Sequence, residues 1–380
     1  MYCYSFFILN YVAFVLAAWT KIPIKLYMMW IITIFSIVAF LYDPFMQARM
    51  FGGDGVDLCR HFDSLDLIRS GIMGEYYHVE APLSALYIRI IAYMFEDNNF
   101  LPLINTWIYY GVVFFTCNKF FNLLKLSAPI RRFAICMILM CDVFFAVINN
   151  IRYPLAVTIF FIGLYYDVTK KYVRTIFLYC LAVLMHPGIT LLLIVRCISI
   201  MKLKVSIMFF PVMVFFIFAA FESTMSILIS LLSPLPELQV LLLAISMKAV
   251  HYSVDGVYEV PLLYRVLIIY MSCFLIFCSV INKYYGQYRH EFKYVYRMIV
   301  WVILLSIIGN ITNFMEGNFS GRLMNMAPFF IALLVSDTLL CLSKENKNYI
   351  YVKLLFFLFS LPYICVYLFK IYPYWIYLGL

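Results

Sequence analysis

FAICMILMCDVFFAVINNIRYPLAVTIFFIGLYYDV, residues 133–168, reads as two apolar runs joined by Asn149-Asn150-Ile151-Arg152-Tyr153-Pro154. Each run approaches or reaches the roughly 17–25 residues that carry a helix across a bilayer. Similar runs recur along the whole 380-residue chain, whose mean hydropathy is +0.96 and whose charged residues make up only 12%. So little polar surface cannot cover a water-soluble domain. In lipid, a segment must satisfy its own backbone groups, so such runs form helices. The expectation is an all-α polytopic membrane protein with about 10–12 transmembrane helices, together with re-entrant or juxtamembrane helices. It forms one helical membrane domain over 1–380, with no internal repeat or soluble domain.

Candidate full spans are 2–20, 26–42, 100–117, 133–148, 151–168, 205–221, 262–282, 298–315, 323–342 and 350–370. The first lacks a basic leader region and an evident small-residue cleavage site, so it reads as an uncleaved span. Lys21 and Lys25, then Lys119, Lys125, Arg131 and Arg132, then Lys170, Lys171 and Arg174 fall in short loops. Lys283, Arg289, Lys293, Arg297, Lys344 and Lys347 do the same later in the chain. Clustering of this kind places those loops in the cytoplasm. It also accounts for the net charge of +9 without nucleic acid as a partner. Loop 43–80 carries seven acids against three arginines, so it belongs on the opposite face. Segment 81–95 must then be a juxtamembrane helix on that outer face, or loop 118–132 would land outside.

The same sign test applies to 173–200, which has basic residues at both ends and His186-Pro187-Gly188 in the middle. Pro and Gly together break a helix. A re-entrant hairpin satisfies the charges better than one kinked span, and it puts His186 well inside the membrane thickness. The outer loops are therefore about 43–99 and 222–261. The 11 cysteines are scattered singly, with no CxxC and no Cys/His pairing, and read as apolar filler.

Ionisable side chains in or near the hydrocarbon layer are costly and mark candidate sites. Arg152 begins a span at its outer end, with Pro154 in the first turn, where a missing N–H costs least. A helix N-terminus and a guanidinium together favour an anion such as phosphate. The plainer alternative is a snorkelling anchor among lipid headgroups. Arg322, after Gly321, and Arg265, after Pro261, repeat the arrangement at two other outer helix starts. Three such arginines point to a shared anionic site, against the positive-inside bias. His186 is the only histidine inside an apolar run, a structural residue or a proton acceptor. In the acidic loop, Asp54/Asp57 and Asp63/Asp66 have DxxD spacing that could hold magnesium pyrophosphate, although charged loops are usually solvated faces. Glu75-Tyr76-Tyr77 and Glu80 suggest a surface platform on which sugars stack. No P-loop, HExxH, GxSxG or dinucleotide fingerprint occurs.

The acidic loop with "GGD" and "YY", then "EAPLSALYIRI", "NIRYPLAVTIFFIGLYY", "LAVLMHPGITLLL" and "GRLMNMAPFFIALL", covers most of the chain. In this order it resembles the EpsG-like group of Wzy-type O-antigen and exopolysaccharide polymerases. Tyr153 stands where that group more often has Gln, and Pro187-Gly188 where a residue and then Ser are commoner. The resemblance implies a GT-C-like, metal-independent glycosyltransferase of the bacterial inner membrane. Undecaprenyl-pyrophosphate-linked oligosaccharides would be joined at the periplasmic face, without a cofactor. The bilayer, and a chain-length-regulating membrane protein, would be its partners. Arg152 and Arg322, with Arg265 as a third, would hold the pyrophosphate. Asp54, Glu75 or His186 would take the acceptor's proton, with Tyr76, Tyr77 and Glu80 meeting sugar. Competing readings are a flippase for the same lipid-linked sugars and a metal-dependent prenyltransferase built on the DxxD pairs.

Overall fold

The computed structural model describes residues 2–45, 57–72, 81–201, 262–286, 292–311, 318–345 and 348–371, which contain helix and no strand. The chain begins with α1 (Tyr2–Ala17), α2 (Ile24–Phe40), α3 (Asp57–Arg69), α4 (Pro82–Met94) and α5 (Phe100–Leu124). It continues through α6 (Ala128–Cys141), α7 (Phe144–Asn149), α8 (Arg152–Val168), α9 (Tyr172–Met185), a 3₁₀ turn (Pro187–Ile189) and α10 (Thr190–Ile198). After the segment outside the description come α11 (Leu262–Tyr285), α12 (Lys293–Ile311), α13 (Asn318–Met324), α14 (Ala327–Glu345) and α15 (Tyr349–Val366). Among the described residues, five segments are long and apolar enough to cross a membrane: Phe100–Leu124, Leu262–Tyr285, Lys293–Ile311, Ser320–Ser343 and Tyr349–Phe369. The protein is an all-α polytopic membrane protein. The expected span 205–221 and the outer loop 222–261 lie outside the described residues.

Helix α14 runs through the centre, wrapped by α6 and α11, and is buried along almost its whole length. The core between α1, α2, α5 and α7 is aromatic: Phe35 meets Phe144 at 4.5 Å, Tyr110 at 4.9 Å and Phe7 at 5.7 Å between ring centres. Rings interlocked in this way fix the helix positions where lipid supplies no hydrophobic drive.

The continuous span expected over 133–148 is broken. Helix α6 stops at Cys141, Asp142 is extended, and α7 restarts at Phe144. Apolar composition concealed the break, because every residue around Asp142 suits a helix in lipid. Segment 81–95 forms α4, too short to span, resting on α3 and α9. Arg69 fastens its C-terminal end by donating to the carbonyls of Ala92 (3.2 Å) and Phe95 (2.8 Å).

Segment 173–200 is a hairpin. Lys170 takes a left-handed turn (φ 57°), and α9 packs back along the full length of α8. At one end His186 meets Tyr153, the second residue of α8, at 5.1 Å between rings. The chain then reverses, and Arg196 on α10 reaches Asp167 at the other end of α8, its Nη2 3.0 Å from the carboxylate. Tyr179 donates to the same carboxylate at 3.2 Å, and the Arg196 guanidinium lies 4.0 Å over the Tyr294 ring. Arg297 closes the base by donating to the carbonyls of Ile200 (2.8 Å) and Met201 (2.6 Å). A single kinked span would have carried Arg196 away from Asp167.

The Asp167–Arg196 pair is mostly buried, at 6% and 14% side-chain exposure, so either charge alone is strongly unfavourable there. Asp167→Asn and Arg196→Gln should each destabilise the detergent-solubilised protein by about 3 kcal/mol. The double variant should lose clearly less than the sum of the two. Unfolding titrations followed by tryptophan fluorescence would measure this coupling.

Candidate functional site

Asn149 and Asn150 end α7, and the chain restarts in α8 with Arg152 as its first residue and Pro154 its third. Proline is tolerated there because the first-turn N–H groups have no partner within the helix. Half-buried Arg152 lies within electrostatic reach of Asp57, the first residue of α3, which rests on α7. Asp57 also pairs with Arg60 and stands 3.6 Å from His61 Nε2. Burial pushes the Asp57 carboxyl up, but the neighbouring His61 ring, then Arg60 and Arg152, hold it well below the usual carboxylate range. Asp57 therefore stays ionised and places a negative charge within reach of Arg152.

His186 ends α9 in an extended conformation, and its Nδ1 accepts the Gly188 N–H at 2.9 Å. A nitrogen that accepts carries no proton, so the neutral ring keeps its proton on Nε2 and presents a donor there. The ring meets Tyr153 nearly edge to face, at 84°. The Tyr153 hydroxyl donates to the Arg322 carbonyl at 2.8 Å, and the Arg322 guanidinium carbon lies 5.7 Å from the same tyrosine ring. A Cβ on Gly188 would come within 2.9 Å of His186 Nδ1 and 3.3 Å of Arg322 Nη1. Glycine at the hairpin tip thus lets α8, the tip and α13 converge.

Sequence reasoning placed Arg322 at the start of the span 323–342. The structure puts it in the last turn of α13, before a bend at Asn325–Met326 that leads into α14. Its guanidinium reaches the tip from that short helix, at the start of the spanning segment Ser320–Ser343. Arg265 begins α11 at the same end of the bundle, its carbonyl accepting from Asn310 at 3.1 Å. Asp54, Glu75, Tyr76, Tyr77 and Glu80 lie outside the described residues.

The DxxD pairs separate into different jobs. Asp66 is held by Arg69 at 2.9 Å and by Asn98 at 3.2 Å, which fastens α3 to the end of α4. Among the described residues no three His, Cys, Asp or Glu side chains gather to hold a metal.

Sequence reasoning passed over Tyr153 and Asp142. Tyr153 looked like one tyrosine among 32. Asp142 is 8% exposed, accepts from the Tyr109 hydroxyl at 3.3 Å, and marks the α6–α7 break. A lone acid in an apolar run was the available signal.

The fold and the site together define a multi-span helical membrane protein with cationic side chains gathered at one end of the bundle. The chain belongs to the EpsG family, whose model matches residues 67–376. The matched region holds Arg152, Tyr153, His186, Gly188, Arg265 and Arg322, and begins after Asp54 and Asp57. Membership points to a polysaccharide-polymerase type of role. Comparison with curated proteins returns no match, and neither does comparison with solved structures.

A depressed carboxyl pKa stabilises above the unfolded value near 3.9 and loses that contribution as pH falls further toward the folded value. The stability gap between wild type and Asp57→Asn should therefore be constant above about pH 5 and shrink below about pH 4. Denaturation across a pH series would follow it.

Proposed function

We propose that this protein polymerises undecaprenyl-pyrophosphate-linked oligosaccharide repeat units at the periplasmic face of the bacterial inner membrane. The observation that carries the reading is the convergence of Arg322, the His186 tip and the start of α8 at one end of the bundle. That end lies opposite the loops of Lys125, Lys170 and Lys293. The positive-inside rule assigns those loops to the cytoplasm and the site to the outer face.

In the reaction, an acceptor sugar hydroxyl attacks the anomeric carbon of the growing chain. The bond from that carbon to the pyrophosphate oxygen breaks, and undecaprenyl pyrophosphate leaves with the bonding electrons. Charge builds on phosphate in the transition state. Arg322 and Arg152 stabilise it, Asp57 keeps a negative charge within reach of Arg152, and His186 donates from Nε2 to a phosphate oxygen. Arg265 stands as a third cation at that end. The tautomer of His186 moves the base to a carboxylate of the outer loop, Asp54 or Glu75, which takes the acceptor's proton.

Helix length supports a recessed site. At 1.5 Å per residue, α8 and α9 run only about 25 Å and 21 Å, short of a hydrocarbon core of roughly 30 Å. The tip then sits just beneath the headgroup boundary, where a polyprenyl pyrophosphate entering sideways presents its phosphates.

Complementation of a null strain tests this. Arg152→Ala, Arg322→Ala and Gly188→Ala, at matched protein levels, should each lower polymer laddering by about a hundredfold or more. Single repeat units capped onto the lipid acceptor should remain. A null that instead accumulates lipid-linked units on the cytoplasmic face would identify a flippase and end the enzyme reading.

A further inference from the structure

At the basic end of the bundle, far from the site just described, two cations are buried side by side. Arg132 on α6 is 6% exposed and Lys353 on α15 is 7% exposed, and their charges act on each other. The ion pairs among the described residues join Asp57, Asp66 and Asp167 to other bases, leaving these two without a carboxylate. Arg132 donates from Nη1 to the Ile22 carbonyl at 2.9 Å, while its Nε has no hydrogen-bond partner among the described residues. Lys353 Nζ lies 3.9 Å from the centre of the Trp19 ring and 4.9 Å from that of Phe133. These aromatic faces soften the desolvation of the ammonium but supply no net negative charge.

Burying two like charges with no counter-ion is strongly unfavourable, which favours an anion beside them. The surroundings say which kind. Trp19, whose ring lies against Lys353, is 42% exposed and makes edge contacts with Phe133 and Phe357, so the cations lie one ring away from the protein surface. Tryptophan at that depth lies among headgroups. Exposed Lys21 and Lys25 flank the same α1–α2 turn. A guanidinium with an unused Nε–H beside an ammonium matches the oxygens of a phosphate.

We propose that Arg132 and Lys353 form a phosphate-binding site, filled by the headgroup of an anionic phospholipid from the surrounding leaflet. The site would tie α6 and α15 to the α1–α2 turn and is independent of the catalytic reading.

Native mass spectrometry of the full-length protein tests it, with phosphatidylglycerol and phosphatidylcholine offered together and inorganic phosphate as competitor. Wild type should retain phosphatidylglycerol about tenfold over phosphatidylcholine. Arg132→Gln and Lys353→Met should each lower that preference by about fivefold, the worth of one basic residue at an anionic surface. Lys353→Arg should preserve it. Displacement by millimolar inorganic phosphate, lost in the same variants, would support the phosphate site and reassign its source to solution. Equal lipid retention in wild type and the charge-removing variants, with inorganic phosphate inert, would overturn it. Lys353→Met carries the test alone where Arg132→Gln, which also frees the Ile22 carbonyl, fails to accumulate.

Discussion

The hydrogen bond from the Tyr153 hydroxyl to the Arg322 carbonyl joins positions 169 residues apart. It fixes the start of α8 against α13, and through the ring of Tyr153 it also positions His186 at the hairpin tip. Three chain segments therefore share one side chain at the place where the cationic groups gather. In a bundle without a strong hydrophobic drive between helices, such polar contacts and close ring packing decide which faces meet. Tyr153 supplies both a packing face and a donor at the end of a rigid arm.

The hairpin beneath it depends on charges at both ends. Asp167 and Arg196 lock its base, and Arg297 collects the carbonyls that α10 leaves open. The tip can then be short and tight, because nothing else has to hold it in the membrane. Gly188 completes the arrangement: any Cβ there would displace either the imidazole or the guanidinium. The Pro187-Gly188 turn thus admits the close approach of Arg322.

Much of this was legible in the sequence, and the physical reasons are specific. Apolar runs and the sign of loop charges made legible the helical membrane class, a helix within 81–95 too short to span, and the hairpin over 173–200. The break at Asp142 was hidden, since an acid flanked by Cys141, Val143 and Phe144 leaves the hydropathy of the run intact. Arg152 and His186 were legible as ionisable groups where lipid disfavours them. Asp57 was legible only as half of a DxxD pair. Its role as the anion facing Arg152 comes from α3 folding back on α7, a tertiary contact that no local spacing announces. Arg322 was legible at the start of a spanning segment, which runs over Ser320–Ser343, while the bend at Asn325–Met326 that puts it on α13 was not read from Pro328 just beyond it.

The protonation of His186 has the widest consequence for mechanism. A base must have a lone pair pointing at the proton it takes, and the Gly188 N–H already occupies the one on Nδ1. In the proposed reaction the imidazole and Arg322 would both serve the leaving group. Such a site favours departure and deprotonates poorly, so another group would have to take the acceptor's proton. Asp57 cannot do that, because its pairing with His61, Arg60 and Arg152 favours the ionised form too strongly for it to act as an effective base. In the polymerisation proposed above, the leaving group would then fall to the helical bundle and the acceptor's proton to Asp54 or Glu75.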